Sequence, residues 1–283
     1  MPDFFVSDAA ALLPTRREDM HKGDRGRLLV AGGSETYPGA PALSALAALR
    51  SGGGVVTLLS LESVCHACAA WLPEVVHLPV RGDWTAAALT LLSSVGALVL
   101  GPGLGRSKEA SAFARAMWRL WTKPILVDGD GLYALSLPGE PLSARDDALL
   151  TPHEGEAARL LGTTSEVVRA DRPGAAAALA ERWGCVLLKG RGSLVACGGE
   201  LRRLTVGGPE LSVPGSGDVL SGCAGAFMAA GLTPFGAALL GGTLHALAGE
   251  RLRKRSGLDG ILASELADEL PAVVTELRGG GGK

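Results

Sequence analysis

Aromatic residues are scarce in this chain of 283 residues: five Phe, five Trp and two Tyr make up 4% of it. A core for a chain of this length must therefore be built from Leu, Val and Ala, and 47% of the residues are apolar. Such a composition excludes disorder, which needs low hydrophobicity and a high net charge. An excess of one charge is also missing, with 27 Lys and Arg against 29 Asp and Glu. No broad cationic face for a nucleic acid is expected, and any anion must be caught locally. Cysteine is sparse and odd in number (Cys65, Cys68, Cys185, Cys197 and Cys223), which argues against a disulfide scaffold and suits a reducing cytoplasm. The opening residues, with Asp3 and no basic-then-apolar order, do not read as a secretory leader, so export is not expected. One segment, between Asp218 and Glu250, carries no formal charge and is long enough for a membrane span of about 20 residues. Gly231-Leu-Thr-Pro234 divides it, and its Gly, Ala and His245 predict close packing inside the protein instead.

What the chain has in excess is glycine, 41 residues, about twice the usual share of roughly 7%. Short β-branched or Leu-rich runs alternate with amphipathic stretches, the signature of parallel strands joined by crossover helices. Strands are predicted over 27–31, 55–59, 97–100, 125–128, 149–151 and 186–189. Their continuous apolar character means that both faces of the sheet are covered. Helices are predicted over 41–51, 107–121, 154–161, 173–183, 217–230, 234–255 and 264–277. The runs 194–197 and 201–204, joined through Gly198-Gly199, read as an antiparallel hairpin at one sheet edge. No internal repeat or linker-like shift interrupts the series, so a single domain over 1–278 is expected, followed by a disordered tail over 279–283.

Ligands of an open parallel sheet gather beyond the carboxyl ends of its strands, and glycine loops follow most of the predicted strands here. They are Gly32-Gly-Ser34, Gly101-Pro-Gly103-Leu-Gly105, Asp128-Gly-Asp130-Gly, Thr151-Pro-His153-Glu-Gly-Glu156 and Lys189-Gly190-Arg191-Gly192-Ser193. The sharpest element is Pro214-Gly215-Ser216-Gly217-Asp218 at the start of a long apolar helix. Unpaired N–H groups there, with the positive end of the helix dipole, form an anion hole from Gly215, Ser216 and Gly217, with Asp218 placed as a base. Taken alone, the same pattern fits an acid that merely favours a helix start. Other nucleotide signatures fail: there is no G-x-x-x-x-G-K-[ST], and the Gly101 run lacks G-x-G-x-x-G spacing. Cys65-His66-Ala-Cys68 has no second half to complete a zinc site and reads as the face of a packed helix. His21, His77 and His245 read as structural or surface residues.

In order, the motifs from Lys22-Gly-Asp-Arg-Gly26 through Gly33-Ser34, Tyr37, Gly39-Ala40-Pro41, Gly101 to Gly105, Thr151-Pro-His153-Glu-Gly-Glu156 and Lys189-Gly190 to Gly215-Ser-Gly-Asp218 resemble the ribokinase-like superfamily. Within it they resemble the NAD(P)H-hydrate dehydratases, over nearly the whole chain. The resemblance implies an α/β three-layer ribokinase-like fold, a mostly parallel central sheet flanked by helices, without the β lid of sugar kinases. It implies nicotinamide cofactor repair: water is removed from the S epimer of NADH or NADPH hydrate, with ADP, or ATP in its place, as phosphoryl donor and Mg²⁺ as cofactor. By carry-over, Asp218 is the catalytic base, and Ala40, Gly103, Gly105, His153 and Asp218 contact the hydrate. Lys189, Gly190, Arg191, Gly192, Ser193 and Gly217 contact the adenine nucleotide, and Glu156 is linked to magnesium, directly or through water. Relatives that phosphorylate sugars or vitamin precursors commonly have Asn where His153 stands. Three departures stand out: Asp128-Gly-Asp-Gly-Leu132 for D-A-D-A-L, Ser216 for Thr in G-T-G-D, and Arg191 and Ser193 in place of the Ala and Thr of K-G-A-G-T. Ser keeps the hydroxyl, whereas Arg191 adds a cation beside the proposed phosphate path.

Two other readings stay open: a kinase of the same fold for a vitamin precursor, and a nucleotide-sensing module without turnover. The family's N-terminal epimerase domain is not expected in this chain, so a separate epimerase is the expected partner. Nucleic acid and membrane are not. With no lid to close the site, neighbouring subunits are expected to cover it in a homo-oligomer, a tetramer by the same resemblance. Light scattering should accordingly give a mass several times the 28.8 kDa of one chain; a mass near 28.8 kDa would remove that expectation.

Overall fold

Ten short strands pair into one sheet within residues 1–280, the part of the chain that the computed structural model describes. In chain order they are β1 (Asp3–Phe4), β2 (Arg27–Ala31), β3 (Val55–Ser60), β4 (Val76–Pro79), β5 (Ala97–Leu100), β6 (Ile125–Val127), β7 (Ala148–Leu150), β8 (Cys185–Leu188), β9 (Leu194–Cys197) and β10 (Glu200–Leu204). Across the sheet they follow the order β1-β10-β9-β8-β7-β6-β5-β2-β3-β4. β9 is antiparallel to β8 and β10, and every other adjacent pair is parallel. Chain progress along the sheet reverses between β5 and β2, and a crevice opens at such a switch point beyond the strand ends.

Side chains of β2 show why the strand runs are continuously apolar. Leu28 and Val30 enter one core, shared with the helices Gly39–Arg50, Ser216–Ala229, Pro234–Ser256 and Ala263–Gly280. Leu29 and Ala31 enter the other, shared with Lys108–Leu120, Glu154–Leu161 and Arg172–Trp183. Both faces are thus covered, which gives the three expected layers.

The differences from the sequence reading lie in short elements and at ends. β1, β4 and the helices Val6–Ala10, Trp84–Leu89, Asp130–Ser136 and Ser165–Ala170 were not anticipated; runs of two to seven residues carry too little periodicity to register. The hairpin β9–β10 forms through Gly198 and Gly199, both with positive φ, but it is not the sheet's margin. β1 adds outside β10, held by Arg203 donating to both carboxylate oxygens of Asp3 at 2.7 and 2.9 Å. β6, β7 and β8 each stop one residue early, because Asp128, Thr151 and Lys189 begin the loops instead of ending the strands. The last helix runs through Gly280, two residues into the expected tail, and residues 281–283 lie outside the described part.

The uncharged stretch forms the helix Ser216–Ala229 and the first part of Pro234–Ser256, both largely buried against protein. Among the described residues no helix is long and apolar enough to cross a membrane. Glycine permits the close approach. A Cβ at Gly222 would overlap the carbonyl oxygen of Ser44, and one at Gly225 would overlap Val99. Gly222→Ala should therefore cost about 1–3 kcal/mol or more by overpacking, read as a lowered urea midpoint. Gly279→Ala, with nothing nearby, should stay within about 0.5 kcal/mol of wild type.

Candidate active site

The loops after β2, β5, β6 and β7 converge on a cavity of about 820 Å³ at the carboxyl edge of the sheet, by the β5/β2 switch. Its walls are set by close backbone contacts. Gly33 donates its N–H to the carbonyl of Pro102 at 2.8 Å, which ties the first loop to the second. Gly101 has a φ of 116°, and a Cβ there would strike the carbonyl of Asp128, so this turn accepts only glycine. The second wall is the pair of helices Gly39–Arg50 and Ser216–Ala229, joined by the Ser44 hydroxyl donating to the carbonyl of Asp218 at 2.9 Å.

A buried charge network lies under the cavity. Asp128, 2% exposed, accepts from Lys189 Nζ at 2.9 Å on Oδ1 and from the Ser221 hydroxyl at 2.6 Å on Oδ2. Lys189 Nζ is also 3.7 Å from Glu156 Oε2, and that oxygen accepts the backbone N–H of His153 at 2.8 Å. Burial alone would lower the Lys189 pKa, but Asp128, Glu156 and Asp218 outweigh it and raise the pKa. Gly217 leaves the space: a Cβ there would sit 3.2 Å from Lys189 Nζ and 3.7 Å from Asp128 Oδ2.

Asp218, in the first turn of its helix and on the cavity wall, makes no ion pair among the described residues. Burial, then repulsion from Asp128, pushes its pKa up to about 8; Lys189 offsets part of this, while Asp130 and Glu156 add to it. A carboxyl so placed keeps its proton through neutral pH and releases it near pH 8, the kind of perturbed group that concentrates at functional sites.

Five expected site residues, Ala40, Gly103, Gly105, Glu156 and Asp218, line this cavity together. Lys189 sits behind it through Asp128. The others are arranged differently. The His153 side chain is 61% exposed, with Nε2 3.6 Å from Glu156 Oε2, and its ring Nδ1 accepts from the N–H groups of Gly155 and Glu156 at 3.0 and 3.4 Å, capping the helix Glu154–Leu161. Gly190 to Ser193 form the turn between β8 and β9, closed by the Ser193 hydroxyl donating to the Gly190 carbonyl at 3.0 Å; Arg191 is exposed within it. None of these is on the cavity wall.

Of the residues expected to form an anion hole, Ser216 is committed to other partners. Ser216 donates its N–H to the Val213 carbonyl at 3.2 Å, and its buried hydroxyl pairs with His245 Nε2 at 3.0 Å. Burial pushes His245 down to about 4, which keeps the ring neutral. The hydroxyl preserved by the Thr-to-Ser departure therefore faces the core. Gly215 is the αL residue before the helix, and the amides of Gly217 and Asp218 make no hydrogen bond among the described residues.

Sequence reasoning missed the parts played by Asp128, Ser221 and Asp130. Asp130 accepts from the Gly105 N–H at 2.9 Å on one oxygen and from Arg106 Nε at 2.9 Å on the other, and so fixes the Gly103–Gly105 turn. The available signal was two acids one residue apart directly after an apolar strand, on the rim where ligands gather.

The raised Asp218 pKa has a consequence for stability. The native state holds this proton more tightly than the unfolded chain, so its stabilising effect is complete below the ordinary carboxylate range and is lost as pH rises toward about 8. Asp218→Asn, which cannot ionise, should melt above wild type by a margin that grows from pH 5 to pH 8 and then levels off. Each 1 kcal/mol of that margin is worth roughly 2–4 °C in a domain of this size. Thermal melts across that range check it.

Comparison with known proteins agrees with this geometry. Residues 28–272 match the family described as NAD(P)H-hydrate dehydratase. The bifunctional NAD(P)H-hydrate repair enzyme Nnr of Thermanaerovibrio acidaminovorans is 43% identical over 270 residues, 90% of this chain and 51% of that protein. Its Escherichia coli counterpart is 36% identical over 275 residues, 96% of this chain and 52% of that one. The chain thus spans about half the length of these curated relatives. The solved ADP/ATP-dependent NAD(P)H-hydrate dehydratase from Bacillus subtilis, co-crystallised with ATP and Mg²⁺, superposes with a TM-score of 0.85 at 26% identity over 98% of both chains. A hydroxyethylthiazole kinase from Pyrococcus horikoshii shares the fold at a TM-score of 0.61 and 16% identity. A glycine rim at the switch point, a carboxyl poised at a helix start and a match across most of its length together place the chain in the NAD(P)H-hydrate dehydratase family, on the ribokinase-like fold.

Proposed function

We propose that this site returns the S epimer of NADH or NADPH hydrate to the reduced cofactor, converting ADP to AMP and phosphate. The observation that carries the proposal is the position of Asp218: on the cavity wall, its pKa raised to about 8, beside two uncommitted amides at the helix start. In the first step the hydrate hydroxyl attacks the terminal phosphorus of ADP. Its oxygen bonds to phosphorus, its proton passes to the Asp218 carboxylate, and the bond from phosphorus to AMP breaks. In the second step the carbon–oxygen bond of the new ester breaks, phosphate leaves with the bonding electrons, the neighbouring carbon gives its proton to the departing phosphate, and the ring double bond re-forms. Phosphoryl transfer depends mainly on positioning and charge stabilisation. The Gly217 and Asp218 N–H groups at the positive end of the dipole, with the Lys189 charge beneath Gly217, supply that stabilisation here.

The residues also fit a Mg²⁺ ion brought in with the nucleotide. Such an ion keeps several waters and takes one or two carboxylates plus phosphate oxygens. Glu156 lines the cavity with Oε1 uncommitted, and among the described residues no group of three His, Cys, Asp or Glu forms a metal cage. When bound, the ion would neutralise phosphate charge, with Glu156 as its protein ligand.

A kinase that stops at the phosphate ester would use the same geometry, and His153, which is not among the cavity-lining residues, does not exclude it. Incubation of NADH hydrate with ADP, ATP or no nucleotide decides the matter. Recovery of the near-ultraviolet absorbance of NADH with release of phosphate is the expected result; a stable phosphorylated product with no recovery would establish the kinase. Asp218→Asn should lose about 10²- to 10⁴-fold in turnover while still binding ADP. In wild type, turnover should rise with pH toward the Asp218 pKa of about 8. A variant as active as wild type would leave Asp218 with a capping role only.

A further inference from the structure

Charges on the cavity wall are distributed one-sidedly. Glu35, Glu109, Asp130, Glu156 and Asp218 all line it, whereas Arg106 is the one cationic side chain among the described lining residues. Lys189 is committed to Asp128 behind the wall. A dinucleotide carries a diphosphate bridge, and entry of that anion into a space bordered by Glu35, Glu109, Asp130 and Glu156 is unfavourable unless a cation meets it.

Arg106 is arranged to do so. Its Nε donates to Asp130 Oδ1 at 2.9 Å, and its guanidinium lies 4.7 Å from the centre of the Tyr133 ring. Asp130 in turn holds the preceding residue through the Gly105 N–H. The head group is thus oriented by an ion pair, an aromatic face and a fixed backbone. Only Nε is occupied by these contacts, and the terminal nitrogens donate to nothing among the described residues. A planar fork with free terminal N–H groups matches two oxygens of one phosphate.

We propose that Arg106 is the specificity residue that binds a phosphate of the dinucleotide substrate, away from the reacting ring. This rests on the reaction proposed above and adds the group that recognises its substrate. Two phosphates share this chemistry: the diphosphate bridge, present in both hydrates, and the 2′-phosphate, present only in the NADPH form.

The test compares wild type, Arg106→Gln and Arg159→Gln. Arg159 also lies against Tyr133, at 5.6 Å, but is not on the cavity wall, so it controls for loss of charge and stacking. For Arg106→Gln the KM of the hydrate should rise about 10- to 100-fold, the loss of one charge-assisted hydrogen bond, with kcat within about twofold and the KM of ADP unchanged. A rise for both hydrates assigns the bridge, and a rise for the NADPH form alone assigns the 2′-phosphate; either supports the proposal. An unchanged KM for both, a rise for ADP instead, or an equal rise in Arg159→Gln overturns it. Dissociation constants of NADH and NADPH, measured by calorimetry on the same three proteins, should follow the same ratios. They test Arg106 even if wild type fails to turn over the hydrate, a failure that would count against the reaction alone.

Discussion

The ion pair between Lys189 and Asp128 is the constraint on which the site depends. Burying two charges is expensive, and their attraction compensates only where geometry is good and the remaining polar atoms are satisfied. Both conditions hold, because Ser221 takes the second oxygen of Asp128 while Glu156 stands near the ammonium. One cation is thereby fixed among three carboxyl groups, those of Asp128, Glu156 and Asp218. It comes from the end of β8, its partner from the end of β6 and its supporting hydroxyl from the helix of Asp218, so three segments distant in sequence are locked at one point.

That lock shapes the chemistry above it. Burial, and then the nearby Asp128, suppress the ionisation of Asp218, and Lys189 is close enough for the suppression to be incomplete. Gly217 is narrow enough for the ammonium to reach the start of the helix. The same few residues hold a carboxyl of raised pKa beside a buried ammonium. Cationic side chains stand at two points, Lys189 at the floor and Arg106 near Tyr133, with acidic side chains between.

Much of the architecture was legible because parallel strands buried on both faces must be continuously apolar and must alternate with helices. The glycine loops could be assigned to one rim because strand ends share a direction. Elements such as β4 and Asp130–Ser136 were not legible, since four to seven residues do not establish a period. In the site, Ala40, Gly103, Gly105, Glu156 and Asp218 were readable as members of ordered motifs. Which way a side chain turns was not. Ser216 and His153 have the residue types expected of ligand contacts, yet one hydroxyl is claimed by the buried His245 and one imidazole by its own helix start. The pairing of Asp128, though its loop was placed on the rim, was not legible because its partners lie 61 and 93 positions away along the chain, and no local pattern records such pairings.

The glycines that seat the helix of Asp218 against Ser44 and Val99 also bear on how such a pocket could diversify. Asp218 and Ala40 belong to helices in near backbone contact, so neither can retreat to admit a bulkier molecule without unseating the other. Adaptation toward new substrates would have to proceed on the part of the lining that belongs to the other core, where the half-buried Trp84 borders the cavity beside Phe113.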